Sequence, residues 1–173
     1  MKLIKQTVKK EIKKLVRTNI SAERRFDYLR LDKNERLLPF NKKDLKSFKL
    51  SISDDDLMGY AEIGNTYNKL AKFLKIKVNQ LLITAGSDLA IKTVFETFVD
   101  NKDSIVIQSP SYAMTEVYGK MFGSRIKRYS VNNDLTAKPS DIFNQIDKKT
   151  KLVVIENPNG FVGNMFKIYE IEN

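Results

Sequence analysis

The sequence predicts an α/β fold: a mainly parallel sheet with helices on both faces. Three observations predict it. From residue 81 onward, short apolar runs alternate with helix-periodic stretches, the signature of strand–helix repetition. The runs are unbroken rather than alternating, as in Ile105-Val106-Ile107 and Leu152-Val153-Val154-Ile155. Strands of that kind lie in sheets covered on both sides. Polar, turn-rich loops follow three of the runs, and in such sheets ligands gather at the carboxyl ends of strands.

The elements follow in order. Ile4, Val8, Ile12, Leu15 and Val16 are spaced to form one apolar stripe on a helix over residues 1–20, with Lys5, Lys9, Lys10, Lys13 and Lys14 mostly around the other sides. Docking of the stripe on a protein surface, with the lysines in solvent, is the expected reading. Residues 21–59 read as irregular, punctuated by Asp32, Asn34, Pro39 and Asn41, with Ser53 placed to cap a short helix. A helix is expected over 61–74, a strand over 81–84, and a turn at Ala85-Gly86-Ser87. Asp88 to Val99 is expected to be helical, with Leu89, Ile91, Val94, Phe95 and Phe98 as its apolar face. A strand over 104–108 breaks at Ser109-Pro110-Ser111 and leads to a helix over 112–122, for which Gly123 suits a left-handed cap. Strand 125–131, a short helix 139–146 opened by Pro139, and strand 152–155 complete the series.

Composition narrows the chemistry. The chain has 173 residues, 42% apolar and 30% charged, which suits a globular domain. No run approaches the roughly 20 apolar residues of a membrane span, and charge follows Leu3-Ile4 at once, so no cleavable leader is expected and the cytoplasm is the expected location. Cysteine and histidine are both absent. Thiolate nucleophiles, imidazole bases, Ser-His-Asp triads and Cys- or His-ligated metal sites are therefore excluded, and no metal or catalytic residue is assigned. The net charge is +10: residues 1–49 carry 16 Lys and Arg against 6 Asp and Glu, and residues 50–173 carry 15 of each. A basic arm and lead-in segment over 1–49 ahead of a neutral body over 50–173 is the expected organisation. Residues 1–20 lack aromatics that would stack on bases or anchor in lipid, which disfavours nucleic acid and membrane as partners.

Three loops carry the candidate chemistry. In Thr84-Ala85-Gly86-Ser87-Asp88, glycine permits close backbone approach where a helix begins, and free N–H groups there attract anions. The same residues also suit a plain strand-to-helix turn capped by Ser87 or Asp88. Tyr112 after Ser109-Pro110-Ser111 offers a ring for stacking on a flat cofactor, or for partial burial in the core. The stretch from Asn157 to Gly163 is a polar turn after a buried strand. Walker-type and G-x-G-x-x-G loops are absent, which sets aside ATP and NAD.

In order and interval these loops resemble the fold-type I pyridoxal-phosphate (PLP) dependent aminotransferases of class I/II, and within them the histidinol-phosphate aminotransferase-like branch. The resemblance runs from about residue 28 to 166. It rests on Leu31-Asp32-Lys33-Asn34-Glu35, similar to an L-x-x-N-E segment, and on Ala85-Gly86-Ser87-Asp88, similar to G-[SA]-D-E. Ser109-Pro110-Ser111-Tyr112 is similar to P-x-Y-x-x-Y, and the strand into Asn157-Pro158-Asn159 is similar to that leading into N-P-N-N-P-T-G. The resemblance implies an incomplete PLP-transferase large domain with PLP as cofactor. Gly86, Ser87 and Asp88 would hold the cofactor phosphate, and Tyr112 would stack on the pyridine ring. Tyr60 would reach the phosphate of a partner subunit's cofactor, and Asn34 and Glu35 would lie at the substrate mouth. A homodimer acting on amino acid and keto substrates is implied.

The sequence departs from the pattern in two places, the first being Glu35, which is followed by Arg36-Leu37-Leu38-Pro39 in place of the usual Asn-Pro. Gly160 stands where the family has the asparagine that bonds the cofactor's phenolic oxygen, and Phe161-Val162 replace Pro-Thr. The resemblance also puts the acid for the pyridine nitrogen, the Schiff-base lysine and the carboxylate-binding arginine beyond residue 173. The expectation is thus a fragment resembling the front half of an aminotransferase, inactive alone, with no covalent attachment of PLP at the family position. Two alternatives stay open: a non-catalytic phosphate- or partner-binding module, and a basic-arm nucleic-acid binder.

Overall fold

The computed structural model describes residues 8–13, 15, 24–31 and 33–172. Most of the helix expected over 1–20 lies outside them. The chain divides into two compact units, one over 19–83 and one whose elements run from residue 84 to 172.

In the first unit, α1 (Lys42–Leu50) is capped by Asn41, whose Oδ1 accepts from the N–H of Asp44 at 2.9 Å. This helix lies in the stretch expected to be irregular. Its apolar residues Leu45, Phe48 and Leu50 all remain exposed, and the Asn41 cap marks its start. Ser53 caps α2 (Asp54–Met58) as expected, in a reciprocal box with Asp56. The hydrogen bond from Ser53 holds the Asp56 carboxyl below its usual range. The helix expected over 61–74 is α3 (Gly64–Leu74), closed by Lys75 in the left-handed conformation at φ 57°.

Residues 81–84 are not a strand. The apolar run is there, but extended backbone becomes a strand only when a neighbour pairs its N–H and C=O groups. Among the described residues no strand runs beside it, and the N–H of Ile83 donates instead to the hydroxyl of Tyr67 on α3, at 3.0 Å.

The second unit holds α4 (Gly86–Phe98), β1 (Ser104–Ser109), α5 (Ala113–Met121), β2 (Arg125–Ser130), α6 (Pro139–Phe143), β3 (Thr150–Val154) and α7 (Ile168–Glu172). The three strands form one parallel sheet in the order β2-β1-β3. β1 is central, and its residues 104–108 are all buried, as its unbroken apolar character predicts. Alternate residues serve opposite faces. Ile105 and Ile107 pack with Phe95 and Val99 of the α4 segment and with Tyr118 of α5. Val106 packs with Tyr129, Ile142 and Phe166 on the other side. Helices thus cover both faces. Gly123 closes the α5 turn at φ +73°, the left-handed cap its position predicts.

The connections explain where the site falls. β1 leads through α5, on one face, to β2. β2 leads through α6, on the opposite face, to β3. Right-handed crossovers require this change of face when the chain reverses its direction across the sheet. The loops leaving the adjacent strands β1 and β3 therefore diverge to opposite sides. In α/β sheets the ligand-binding crevice falls at such a divergence, outside the carboxyl ends of the two strands.

Outside the crevice, Lys127 on β2 donates to the Gln145 carbonyl at 2.9 Å and pairs with Asp147 at 2.7 Å, fastening the turn before β3. The hydrogen bond from Lys127, then that from the Lys149 N–H, lowers the Asp147 pKa from 3.8 to about 2. A carboxyl depressed in the folded state stabilises it above the ordinary pKa and loses that contribution as pH falls through the folded value. Melting temperature should therefore fall between pH 4 and pH 2, and Asp147→Asn should reduce the size of that fall. Thermal melts at pH 5 and pH 2 measure it; an identical acid response in the variant would contradict the assignment.

Candidate functional site

α4 starts without a side-chain cap at Ala85. Gly86 takes φ +80°, a left-handed conformation that L side chains adopt only with strain, and a Cβ placed there would meet open space. The N–H of Gly86 turns back to the Thr84 carbonyl at 2.8 Å, and the Thr84 hydroxyl donates to the Gly86 carbonyl at 2.8 Å. These bonds shape the turn and leave the N–H groups of Ser87 and Asp88 as the orphan donors a cap would satisfy. Ser87 is exposed. Asp88 is half-buried, and its Oδ1 is shielded from solvent without a hydrogen-bond partner. An uncapped helix start, an open glycine and a positive dipole end are features that favour an anion.

α4 packs along β1 and joins it through residues 99–103, so its first turn lies at the carboxyl end of β1. Tyr112 is at the same end, as the residue preceding α5, with its side chain half-exposed at 42%. The sequence expectation that loops 84–88 and 108–112 share one end of the sheet agrees with this placement.

The third loop is more than a turn. The Glu156 carboxylate accepts from the Ser111 hydroxyl and from the Tyr112 N–H through Oε1, and from Asn159 Nδ2 through Oε2 at 3.3 Å. Asn159 is 1% exposed. Its Nδ2 also donates to the Pro110 carbonyl at 3.1 Å, and its Oδ1 accepts from the N–H groups of Phe161 and Val162 at 2.8 and 3.1 Å. Beneath them, buried Gln108 donates to Asn164 Oδ1 at 2.8 Å and accepts from the Tyr129 hydroxyl at 3.3 Å. Burial, then the Glu156 charge, pushes the Tyr129 phenol up to about 12. Sequence reasoning assigned no role to Gln108, Glu156, Asn159 or Asn164. The available signal was their place: Gln108 ends a buried strand, and the other three follow one.

The remaining expected residues belong to the unit over 19–83. Tyr60 is fully exposed between α2 and α3. Asn34 is exposed. Glu35 accepts from Arg25 at 2.7 Å and Arg30 at 2.8 Å, and the Arg25 bond, with the positive charge around it, holds its carboxyl below the usual range. Among the described residues no acidic cluster has the form of a metal site, and no helix is long and apolar enough to cross a membrane.

The pattern of the family Aminotransferase class I and II matches residues 27–173. The chain belongs to that family. Two curated relatives are histidinol-phosphate aminotransferases. The one from Methanocaldococcus jannaschii is 27% identical over 84% of this chain and 40% of its own length; that from Clostridium novyi is 25% identical over 92% and 48%. The chain thus spans less than half the length of these relatives. Among solved structures, cystalysin from Treponema denticola, whose description names a pyridoxal 5'-phosphate cofactor, aligns over 75% of this chain and 35% of its own, at TM-score 0.61 and 20% identity. Histidinol-phosphate aminotransferase from Sinorhizobium meliloti, described in complex with pyridoxal-5'-phosphate, aligns over 69% and 32% at TM-score 0.59 and 17% identity. At that identity the likeness shows the fold.

Proposed function

We propose that this chain supplies the phosphate cradle and ring platform of a pyridoxal 5'-phosphate aminotransferase of the histidinol-phosphate type. One observation carries the reading: the uncapped, glycine-opened start of α4 lies at the same end of the sheet as the half-exposed Tyr112. The residues fit the cofactor at two of three points. The N–H groups of Ser87 and Asp88 suit its phosphate, with Gly86 leaving the approach clear. Tyr112 suits the ring face. At the third point Gly160 has no side chain to bond the phenolic oxygen, and a Cβ there would meet open space. Bound PLP supplies an electron sink for moving protons and amino groups at a substrate carbon. The residues here bind and orient it; the lysine needed for turnover has, in the family pattern, its place beyond residue 173.

Tyr60 at a partner subunit's phosphate, Asn34 and Glu35 near the substrate, a homodimer and amino acid and keto substrates belong to the same proposal. The arginine pairs on Glu35 support a structural share in its role.

Pyridoxine 5'-phosphate is the suitable probe, because its alcohol, unlike an aldehyde, cannot react with the chain's many lysines. The expected result is reversible binding, competed by inorganic phosphate, with unphosphorylated pyridoxine bound at least about tenfold more weakly, since charge-assisted bonds carry the affinity. The 173-residue polypeptide should show no amino transfer between amino and keto acids. Equal affinity for the phosphorylated and unphosphorylated compounds would sink the cradle; turnover would contradict the division of labour.

A further inference from the structure

We propose that Glu156 is a positioning residue, which holds Tyr112 as the flat platform of the site. The proposal rests on the cofactor reading above. The side chain of Tyr112 is half-exposed, and among the described residues nothing hydrogen-bonds its hydroxyl. No hydrogen bond fixes the ring, so its aim depends on the backbone that carries it. That backbone is held from two sides: Glu156 Oε1 takes the Tyr112 N–H and, beside it, the Ser111 hydroxyl, while the Tyr112 carbonyl accepts from the Thr115 N–H at 3.0 Å as α5 begins. The other oxygen of Glu156 is fixed by Asn159, which is itself locked by two backbone N–H groups of its own loop. The loop after β3 thus grips the loop after β1 across the crevice where the two diverge.

The choice of a carboxylate is informative. No cation faces Glu156 among the described ion pairs, and its charge is met by O–H and N–H donors alone. Bonds to an ionised acceptor are shorter and stronger than neutral ones, so one side chain can hold two donors of the opposite loop at once. The need is greater in this chain because Gly160 contributes no side chain on the same loop. Orientation of a flat ligand then falls to Tyr112.

The test compares two probes on the full chain: pyridoxine 5'-phosphate, which needs cradle and platform, and inorganic phosphate, which needs the cradle only. Glu156→Ala should weaken pyridoxine 5'-phosphate by about tenfold, the scale of a charge-assisted bond, and leave phosphate unchanged. Glu156→Gln, whose amide oxygen still accepts from Tyr112, should restore most of the affinity. In a double-mutant cycle, Glu156→Ala should add nothing to Tyr112→Ala, because the first acts through the second. Ser111→Ala, which removes one donor, should give a smaller loss in the same direction and serves if Glu156→Ala does not fold. Equal weakening of both probes, no weakening of either, or additivity in the cycle would overturn the positioning role. Failure of the unaltered chain to bind either probe would instead sink the cofactor reading itself.

Discussion

Replacing Phe95 by alanine should destabilise the sheet-bearing unit by about 3–5 kcal/mol. Phe95 is 1% exposed and lies where α4, β1 and α5 converge. Its ring meets Tyr118 with centroids 6.2 Å apart and an interplanar angle of 47°, within the range of favourable tilted pairs. It also covers Ile105 and Ile107, whose burial holds β1 at the centre of the sheet. Removing it leaves a cavity among side chains already fixed by two helices, where relaxation is small. A domain is stable by about 5–15 kcal/mol, so the loss is a large fraction of the total. Phe98, three residues on, is 56% exposed, and its truncation should cost under about 1 kcal/mol. Urea unfolding followed by circular dichroism separates the two. A Phe95→Ala loss as small as that of Phe98→Ala would place the core elsewhere.

Asn159→Ala should cost about 2–4 kcal/mol, although it removes only one small side chain. Its amide bridges four partners: the N–H groups of Phe161 and Val162, the Pro110 carbonyl and Glu156. Alanine leaves two donors and two acceptors around a buried position without the amide that joined them, and each that stays shielded from water carries a desolvation cost. Glu156 also loses the bond that orients its second oxygen, so both loops of the crevice should exchange their amide hydrogens faster. Hydrogen exchange over 109–116 and 156–164, with urea unfolding, measures both effects. Unchanged exchange in the 109–116 segment would show that the two loops are not coupled through Asn159.

The parts of this fold legible in the sequence are those whose cause is local. The strand at Ile105-Val106-Ile107 announces itself because a doubly covered strand is apolar along a nearly continuous run. The turns at Gly86 and Gly123 announce themselves because positive φ selects glycine. The parts that were not legible depend on distant neighbours. Leu81 to Thr84 has the composition of a strand, but pairing is decided by what lies alongside, which a single stretch of sequence does not reveal. α1 is short, charged and exposed, and the Asn41 cap that marks its start is a single residue among several turn-forming ones. The candidate site divides in the same way. Gly86 and Tyr112 stand out in the sequence as candidates through turn chemistry and position. Glu156 and Asn159 act on residues 44 to 49 positions away, a relation that only the β2-β1-β3 order brings about. Gly160 was legible as a departure from the family pattern, and the open space at its Cβ position agrees with a missing contact.

The central claim is that the start of α4 receives the phosphate of a pyridoxal-type ligand. Nuclear magnetic resonance of the isotope-labelled chain, titrated with pyridoxine 5'-phosphate, tests it at the atoms concerned. The account predicts that the amide resonances of Gly86, Ser87 and Asp88 shift first and furthest, that inorganic phosphate reproduces those shifts, and that Tyr112 responds only to the ring-bearing compound. Shifts confined to the lysine-rich residues 1–20 and abolished by moderate salt would contradict it, because they would mark diffuse attraction of an anion to the basic arm instead of a cradle at the crevice.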